Sequence, residues 1–152
     1  MELQRATHAT IVIERNFPVP PQRVFGAFSD IEKKRKWFAP DEGAKILSHE
    51  MDFRVGGKEM KLLQFGEFPP CTNETNYLVI IPNHRIVIAY TMTMGGHTFS
   101  SSHATFEFSA TEAGTNMLFT EQAAFFENSD GPKMREEGWT KLIDQLARTL
   151  AN

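Results

Sequence analysis

The sequence predicts an α+β domain in which a strongly curved antiparallel sheet lies across one long C-terminal helix. Most of the chain consists of alternating, β-branched segments separated by short turn signals. The exceptions are two short helical patterns after the first strand and a long amphipathic pattern over residues 135–150. Because strands joined by short turns usually pair with each other, a meander is the simplest topology.

The N-terminal part of the chain predicts one strand and two short helices. Residues 9–17, ATIVIERNF, alternate and are rich in β-branched side chains, as in a strand. The Pro20–Pro21 pair suits the start of a helix. The apolar face of this helix would consist of Val24, Phe25 and Phe28. Ser29 or Asp30 can cap a second short helix, which Pro40 would end.

The middle of the chain predicts six further strands in three successive pairs. Residues 44–65 hold two strands broken at Gly56–Gly57, a strong turn signal. The segments TNYLVII and HRIVIAYTMTM are separated by Pro82–Asn83, which indicates a hairpin. The last two strands, HTFSSSHATFEFSA and TNMLFTEQAAFF, flank TEAGT, where Gly114 can supply a positive φ.

The C-terminal helix is predicted to press an apolar stripe onto the sheet. On a helical wheel, four apolar residues lie within about 60° of Trp139: Leu142, Ile143, Leu146 and Leu150. Gly138 breaks the helical pattern, because glycine in a helix interior costs roughly 1 kcal/mol relative to alanine. We interpret it as making room, either for close approach to a strand or for open space beside the indole.

The composition is typical of a single globular domain, residues 1–152. Hydrophobic residues make up 41%, charged residues 23%, and the net charge of −3 argues against nucleic acid. No apolar run approaches the roughly 18 residues of a membrane span, and the N-terminus lacks a signal-peptide pattern. The single cysteine, Cys71, leaves no internal disulfide. We therefore expect a cytoplasmic protein without membrane insertion.

Five segments along almost the whole chain carry a family resemblance. They are ERNFPVPPQRVFGAFSDIEKKRKWFAP, DFRVGG, YLVIIPNHRIVIAY, AGTNMLFTEQAAF and EEGWTKLIDQLARTL. In this order they resemble the START/Bet v 1-like superfamily and, within it, the family of the C-terminal domain of the Hsp90 ATPase activator Aha1. The resemblance implies a helix-grip fold, in which the sheet wraps the C-terminal helix around an internal cavity. It implies no catalytic motif, since the family has no general one.

Binding of a small molecule is the leading functional interpretation. The chain has 13 Phe against 2 Tyr and 2 Trp, and this excess of apolar rings could line a cavity. Apolar pockets with a few polar groups are typical of ligand sites, so we expect a hydrophobic, aromatic or lipid-like ligand. The predicted ligand-binding residues are Trp37, Phe38, Phe65, Tyr90, Met92, Phe119, Glu121, Phe125, Arg135, Trp139 and Ile143.

Glu121 is the one candidate for catalysis. Strand alternation places it on the same side as Met117, Phe119 and Phe125, where desolvation would raise its pKa and make it a potential acid or base. Base rates favour the alternative that it pairs with an arginine or lies at the open end of the sheet. Arg135 could pair with Glu121 or meet an anionic ligand. We expect instead that its stem covers apolar surface and its head reaches water.

The other polar motifs predict no catalytic chemistry. His97 and His103 share a strand face but lie roughly 20 Å apart at 3.3 Å per residue. We therefore expect no metal and no cofactor. Ser100 and Ser102 would offer hydroxyls to a ligand or lie on a solvated edge. The basic run KKRK at 33–36 predicts a solvated helix face.

Two other functions remain open. By analogy with cyclases and hydrolases that use this cavity, the chain could be an enzyme with Glu121 as acid or base, assisted by Tyr90 or His97. The family name also suggests an Hsp90-linked role, although the eukaryotic activator engages Hsp90 through a further N-terminal domain for which this chain has no length. Relatives of this size often pair, so a homodimer is compatible with the sequence.

Overall fold

The computed structural model describes residues 1–39 and 43–151 and has the predicted α+β architecture. The N-terminal elements are β1 (Thr7–Phe17), α1 (Pro21–Ser29) and α2 (Ile31–Lys34). The strands that follow are β2 (Ala44–Met51), β3 (Lys58–Phe65), β4 (Cys71–Ile81), β5 (Arg85–Met94), β6 (His97–Thr111) and β7 (Gly114–Phe125). The chain then enters α3 (Gly131–Leu150). The described residues contain no helix long and apolar enough to cross a bilayer.

The seven strands form one antiparallel sheet in the order β1-β7-β6-β5-β4-β3-β2. The predicted meander is confirmed from β2 to β7, and β1 forms the edge of the sheet opposite β2 by pairing with β7. In that pair, Thr7 lies opposite Phe125 and Phe17 lies opposite Thr115. Register shifts interrupt the ladder at one extra residue each in β2, β4 and β6, which are Leu47, Leu78 and Phe99. Such bulges bend strands and increase their twist, which fits a sheet curved around a helix.

Gly114 is required where the last hairpin meets the start of the chain. Its φ is +149°, and a Cβ at this position would collide with the carbonyl oxygen of Phe17. The neighbouring Thr115 hydroxyl donates to the carbonyl oxygen of Val19 at 2.7 Å. The β6–β7 turn is therefore packed directly against the segment that leads from β1 into α1.

The helix boundaries agree with the sequence at most points. Asp30 caps α2, because its side chain accepts a 2.9 Å hydrogen bond from the Glu32 amide. Pro40, predicted to end this helix, lies outside the described residues.

Gly138 lies inside α3, but it is exposed and a Cβ there would meet nothing within 4 Å. The prediction that it admits a neighbouring strand is therefore wrong, and the space beside it is open surface.

The apolar stripe of α3 packs into the concave face of the sheet, as predicted. Trp139, Ile143, Leu146 and Leu150 are all at most 5% exposed and belong to one hydrophobic core. An ion pair between Arg15 on β1 and Asp144 adds a contact near the sheet edge. The candidate site lies in the interior that these residues enclose together with α1 and α2.

Candidate functional site

An aromatic centre fills the interior between the sheet and α3. The Trp139 ring lies 4.7 Å from Phe119, 5.8 Å from Phe106 and 5.9 Å from Phe38, measured between centroids. Phe38 also contacts Trp37 at 5.4 Å. These separations are those of packed aromatic pairs. The rings contact one another across the space where a ligand was expected.

The void at this centre is small. It measures about 10 Å³ and is lined by aromatic rings together with Lys34, Asn73 and Thr75. A cavity of roughly 10–15 Å³ is the least that can hold one water molecule. Among the described residues, the open space that was expected beside Trp139 therefore has room for no more than one water molecule. A guest of the size of a benzene ring needs side chains to move.

One end of the aromatic centre carries a buried polar network, here called the Glu121 cluster. It comprises Tyr90, Ser100, Ser102, Glu121, Asp130, Arg135 and the indole nitrogen of Trp139. The Tyr90 hydroxyl donates to Glu121 Oε1 at 2.6 Å and Trp139 Nε1 donates to the same oxygen at 3.0 Å. Ser102 Oγ donates to Glu121 Oε2 at 3.1 Å. Each carboxylate oxygen therefore has a partner within the protein.

Arg135 completes the Glu121 cluster from the first turns of α3. Its Nε and Nη2 donate to the Asp130 carboxylate at 2.8 and 3.0 Å, and Nη2 also donates to Ser100 Oγ at 2.7 Å. Its Nη1 donates to Tyr90 Oη at 3.0 Å and lies 3.4 Å from Glu121 Oε2. All three guanidinium nitrogens are thus engaged. The prediction that the head of Arg135 reaches water is wrong, and the ion pair with Glu121 is present.

The Glu121 cluster is built to hold α3 on the sheet. Burial raises the pKa of Glu121, while hydrogen bonds from Tyr90 and the charge of Arg135 oppose that rise. Burial and the nearby carboxylate also raise the pKa of Tyr90. Glu121 is 0% exposed, so a reactant would have to displace several hydrogen bonds to reach it. This arrangement suits positioning of Trp139 better than proton transfer.

A second buried network, here called the Glu59 cluster, lies at the other end of the aromatic centre. It comprises Lys34, His49, Glu59, Lys61 and Tyr77, all at most 7% exposed. Lys34 Nζ lies 2.6 Å from Glu59 Oε1, and His49 Nε2 lies 2.6 Å from Glu59 Oε2. The Tyr77 hydroxyl donates to Oε1 of the same carboxylate. The prediction of a solvated face for the KKRK run is wrong for Lys34.

Phe38 contacts both lysines of the Glu59 cluster. Lys61 Nζ is 3.3 Å and Lys34 Nζ is 4.6 Å from the centroid of its ring. Lys61 Nζ also donates to the Phe38 carbonyl oxygen at 2.9 Å. A cation over an aromatic face gains roughly 0.5–2 kcal/mol, which applies to Lys34 and to the protonated form of Lys61. Phe38 is therefore held by the two lysines and by ring contacts with Trp37 and Trp139.

The Glu59 cluster contains strongly shifted pKa values. Burial favours the protonated form of Glu59, but the charge of Lys34 and hydrogen bonds from His49, Lys34 and Tyr77 outweigh burial and lower its pKa to about 2. Burial and the neighbouring charge of Lys34 lower the pKa of Lys61 to about 7. Glu59 is therefore ionised at neutral pH, and Lys61 is partly neutral.

The structure brings most of the predicted site residues together. Trp37, Phe38, Tyr90 and Trp139 line the small void. Phe119, Glu121 and Arg135 lie one layer further out, in contact with Trp139 or Tyr90. Phe125 lies 5.2 Å from the Arg135 guanidinium, and Ile143 is core. Met92 packs against that core and Phe65 is half-buried.

Other predicted polar residues have different surroundings. Ser100 and Ser102 are buried within the Glu121 cluster, so the predicted solvated edge is wrong. His97 Nε2 lies 2.8 Å from the Glu127 carbonyl oxygen, at the start of β6. Cys71 is 1% exposed, and burial raises the pKa of its thiol.

The sequence reasoning missed the Glu59 cluster entirely. Its inward residues on β3, Glu59 and Lys61, alternate with Met60 and Leu62, so hydrophobicity alone assigns the wrong face to the interior. Parity with Leu63 would have indicated the right face, but the adjacent Leu62 favours the opposite one, and only the structure shows that Leu63 is the buried leucine, at 4% exposed. Charged residues in register with a buried leucine indicate an ionic cluster inside the domain.

Comparisons with known proteins agree with this fold. The family described as "Activator of Hsp90 ATPase homolog 1-like protein" matches residues 18–151. An uncharacterised protein from Rhizobium leguminosarum is 38% identical, with 96% of each chain covered and a TM-score of 0.91. The Mll3558 protein from Rhizobium loti is 37% identical over 95% of this chain and 99% of its own, with a TM-score of 0.87.

A more distant neighbour has the same fold. The AHSA1 protein from Silicibacter pomeroyi is 23% identical, covers 94% of this chain and 98% of its own, and has a TM-score of 0.75. No curated protein matches the chain.

Proposed function

The chain belongs to the Activator of Hsp90 ATPase homolog 1-like family, and from that premise we propose that it binds a small aromatic or otherwise apolar ligand between the sheet and α3. The observation that carries this proposal is the position of Phe38. Its ring lines the small void and contacts both Trp139 and the two lysines of the Glu59 cluster. A ligand ring in the same place would make the same contacts.

The two ends of the interior differ in what they offer a ligand. The Glu121 cluster is saturated with internal hydrogen bonds and holds Trp139 in place. The Glu59 cluster presents Lys34 to the small void, together with the polar side chains of Asn73 and Thr75. Ligand sites typically combine an apolar wall with a few convergent polar groups. We therefore place the polar group of the ligand at the Glu59 end.

Binding requires displacement of Phe38, because the void holds no more than a water. A protein that binds only in a minor open state has an apparent affinity reduced by the population of that state. Removing the Phe38 ring should therefore strengthen binding. Apolar cavities of about 150 Å³ made by such truncations stay dry and bind benzene in T4 lysozyme.

The experiment tests wild type and Phe38→Ala against a panel of aromatic compounds and lipids. Binding is followed by thermal shift and by quenching of the fluorescence of Trp37 and Trp139, which both line the void. The matched control is Phe68→Ala, since Phe68 is 66% exposed. We expect at least one apolar guest to stabilise Phe38→Ala and, at higher concentration, the wild type. The proposal fails if no guest shifts either protein while Phe38→Ala remains folded.

A further inference from the structure

Lys61 is a buried lysine with an unusual set of partners. It is 3% exposed on the inward face of β3, with His49 on β2 and Asn73 on β4 opposite it in the register. Its Nζ donates a hydrogen bond to a carbonyl oxygen, that of Phe38. No carboxylate among residues 1–39 and 43–151 forms an ion pair with it.

The surroundings favour a neutral amine. Desolvation disfavours the ammonium form, and the neighbouring cation Lys34 acts in the same direction. The charge of Glu59 opposes both effects but is already shared with Lys34, His49 and Tyr77. The result is a pKa of about 7. A lysine held in an apolar site or beside another cation is the form in which lysine acts as a nucleophile.

We propose that Lys61 captures an aldehyde or ketone covalently as a Schiff base, so that the ligand site is specific for small aromatic carbonyl compounds. This inference rests on the proposed function, because the carbonyl compound would occupy the interior site. The geometry that supports it is the contact between Lys61 Nζ and the face of the Phe38 ring. A guest ring that replaces Phe38 would lie against the amine.

The step balances without any oxidant or reductant. The neutral Nζ attacks the carbonyl carbon, so that an N–C bond forms while the C=O π bond breaks, and one proton passes from nitrogen to oxygen. The resulting carbinolamine takes up a proton from solvent at its hydroxyl and loses water as the nitrogen lone pair forms the C=N bond. The product is a protonated imine, which hydrolysis returns to free amine and carbonyl compound. Its positive charge would lie in the same cluster as the ionised Glu59.

The experiment uses benzaldehyde with sodium cyanoborohydride, which converts each imine into a stable secondary amine that peptide mapping can locate. The reference is Lys58, which lies on the same strand with its side chain 65% exposed. At pH 7.5 an amine of pKa about 7 is mostly neutral, whereas an ordinary lysine is about 0.1% neutral. Allowing for restricted access, we expect Lys61 to be labelled at least about tenfold faster than Lys58. Phe38→Ala should increase this rate further.

Two controls make the outcome decisive. Lys61→Met should remove the fast label, whereas Lys58→Met should leave it. Benzyl alcohol, which has the same ring but no carbonyl, reports non-covalent binding through the fluorescence of Trp37 and Trp139. If benzyl alcohol binds and Lys61 is labelled no faster than Lys58, the Schiff-base inference is overturned and the binding site stands. If neither compound engages the interior of wild type or Phe38→Ala, both proposals are overturned.

Discussion

Acid should remove a measurable part of the stability of this domain through one residue, Glu59. Its pKa in the folded protein is about 2, against an ordinary value of 4.5. Between these values the unfolded chain binds a proton that the folded chain does not, so stability falls as pH falls. The contribution is complete above about pH 5 and is lost near pH 2. At about 1.4 kcal/mol for each unit of pKa, the difference of roughly 2.5 corresponds to about 3 kcal/mol.

The assay is urea unfolding of wild type and Glu59→Gln at pH 7, 5, 4 and 3. At neutral pH the variant lacks the charge that balances Lys34, and removing one partner of a buried pair typically costs about 3–5 kcal/mol. As pH falls to 3 the unfolded wild-type chain binds a proton at Glu59 while the folded chain stays mostly ionised, so wild type should lose about 2 kcal/mol of stability and the gap between the two proteins should narrow. Glu74→Gln, which removes a partly exposed carboxylate, should show no such convergence. A gap that stays constant from pH 7 to pH 3 would refute the reasoning.

Three further predictions follow from the same contacts. Arg135→Met should destabilise the domain by about 3–5 kcal/mol in urea unfolding, because it leaves Glu121 buried without its cation; a loss below 1 kcal/mol would show that the hydrogen bonds alone suffice. Wild-type stability should rise by about 3 kcal/mol between pH 7 and pH 10, since the unfolded chain holds a proton on Lys61 that the folded chain has lost, and Lys61→Met should lack that rise. Gly138→Ala should raise the melting temperature, with a gain of up to about 1 kcal/mol, whereas Gly114→Ala should lower it sharply; equal effects at the two glycines would contradict the structure.

The elements of the fold could be predicted because their signals are local. Alternation, turn residues and the amphipathic pattern of α3 each depend on a few neighbouring positions. The Glu121 cluster was partly accessible for the same reason. Glu121 shares parity with Phe119, so it was expected on the interior face, whereas the head of Arg135 was expected to reach water although the residue lies on the Trp139 side of the helix. The burial of the Arg135 head was not predicted, because arginine heads are exposed in most proteins and the sequence does not show that Asp130 would bind this one.

The Glu59 cluster could not be found by the same reasoning. Hydrophobicity predicts that Met60 turns inward, yet Met60 is 37% exposed while Glu59 and Lys61 are buried. The face that turns inward on β3 is decided by partners distant in sequence, above all Lys34 on α2 and Tyr77 on β4. The size of the void was equally inaccessible, because it depends on how rings from several elements interlock.

The pairing of β1 with β7 has a consequence for how the domain forms. Glu14 on β1 and Asn116 on β7 are hydrogen-bonded but 102 residues apart along the chain. Closing so long a loop is entropically costly, and contacts between distant residues slow folding. During synthesis β1 must wait until β7 has left the ribosome, and a nascent chain stopped before residue 114 would leave both β1 and β6 without this neighbour. Such arrested chains should be the species that chaperones or proteases capture.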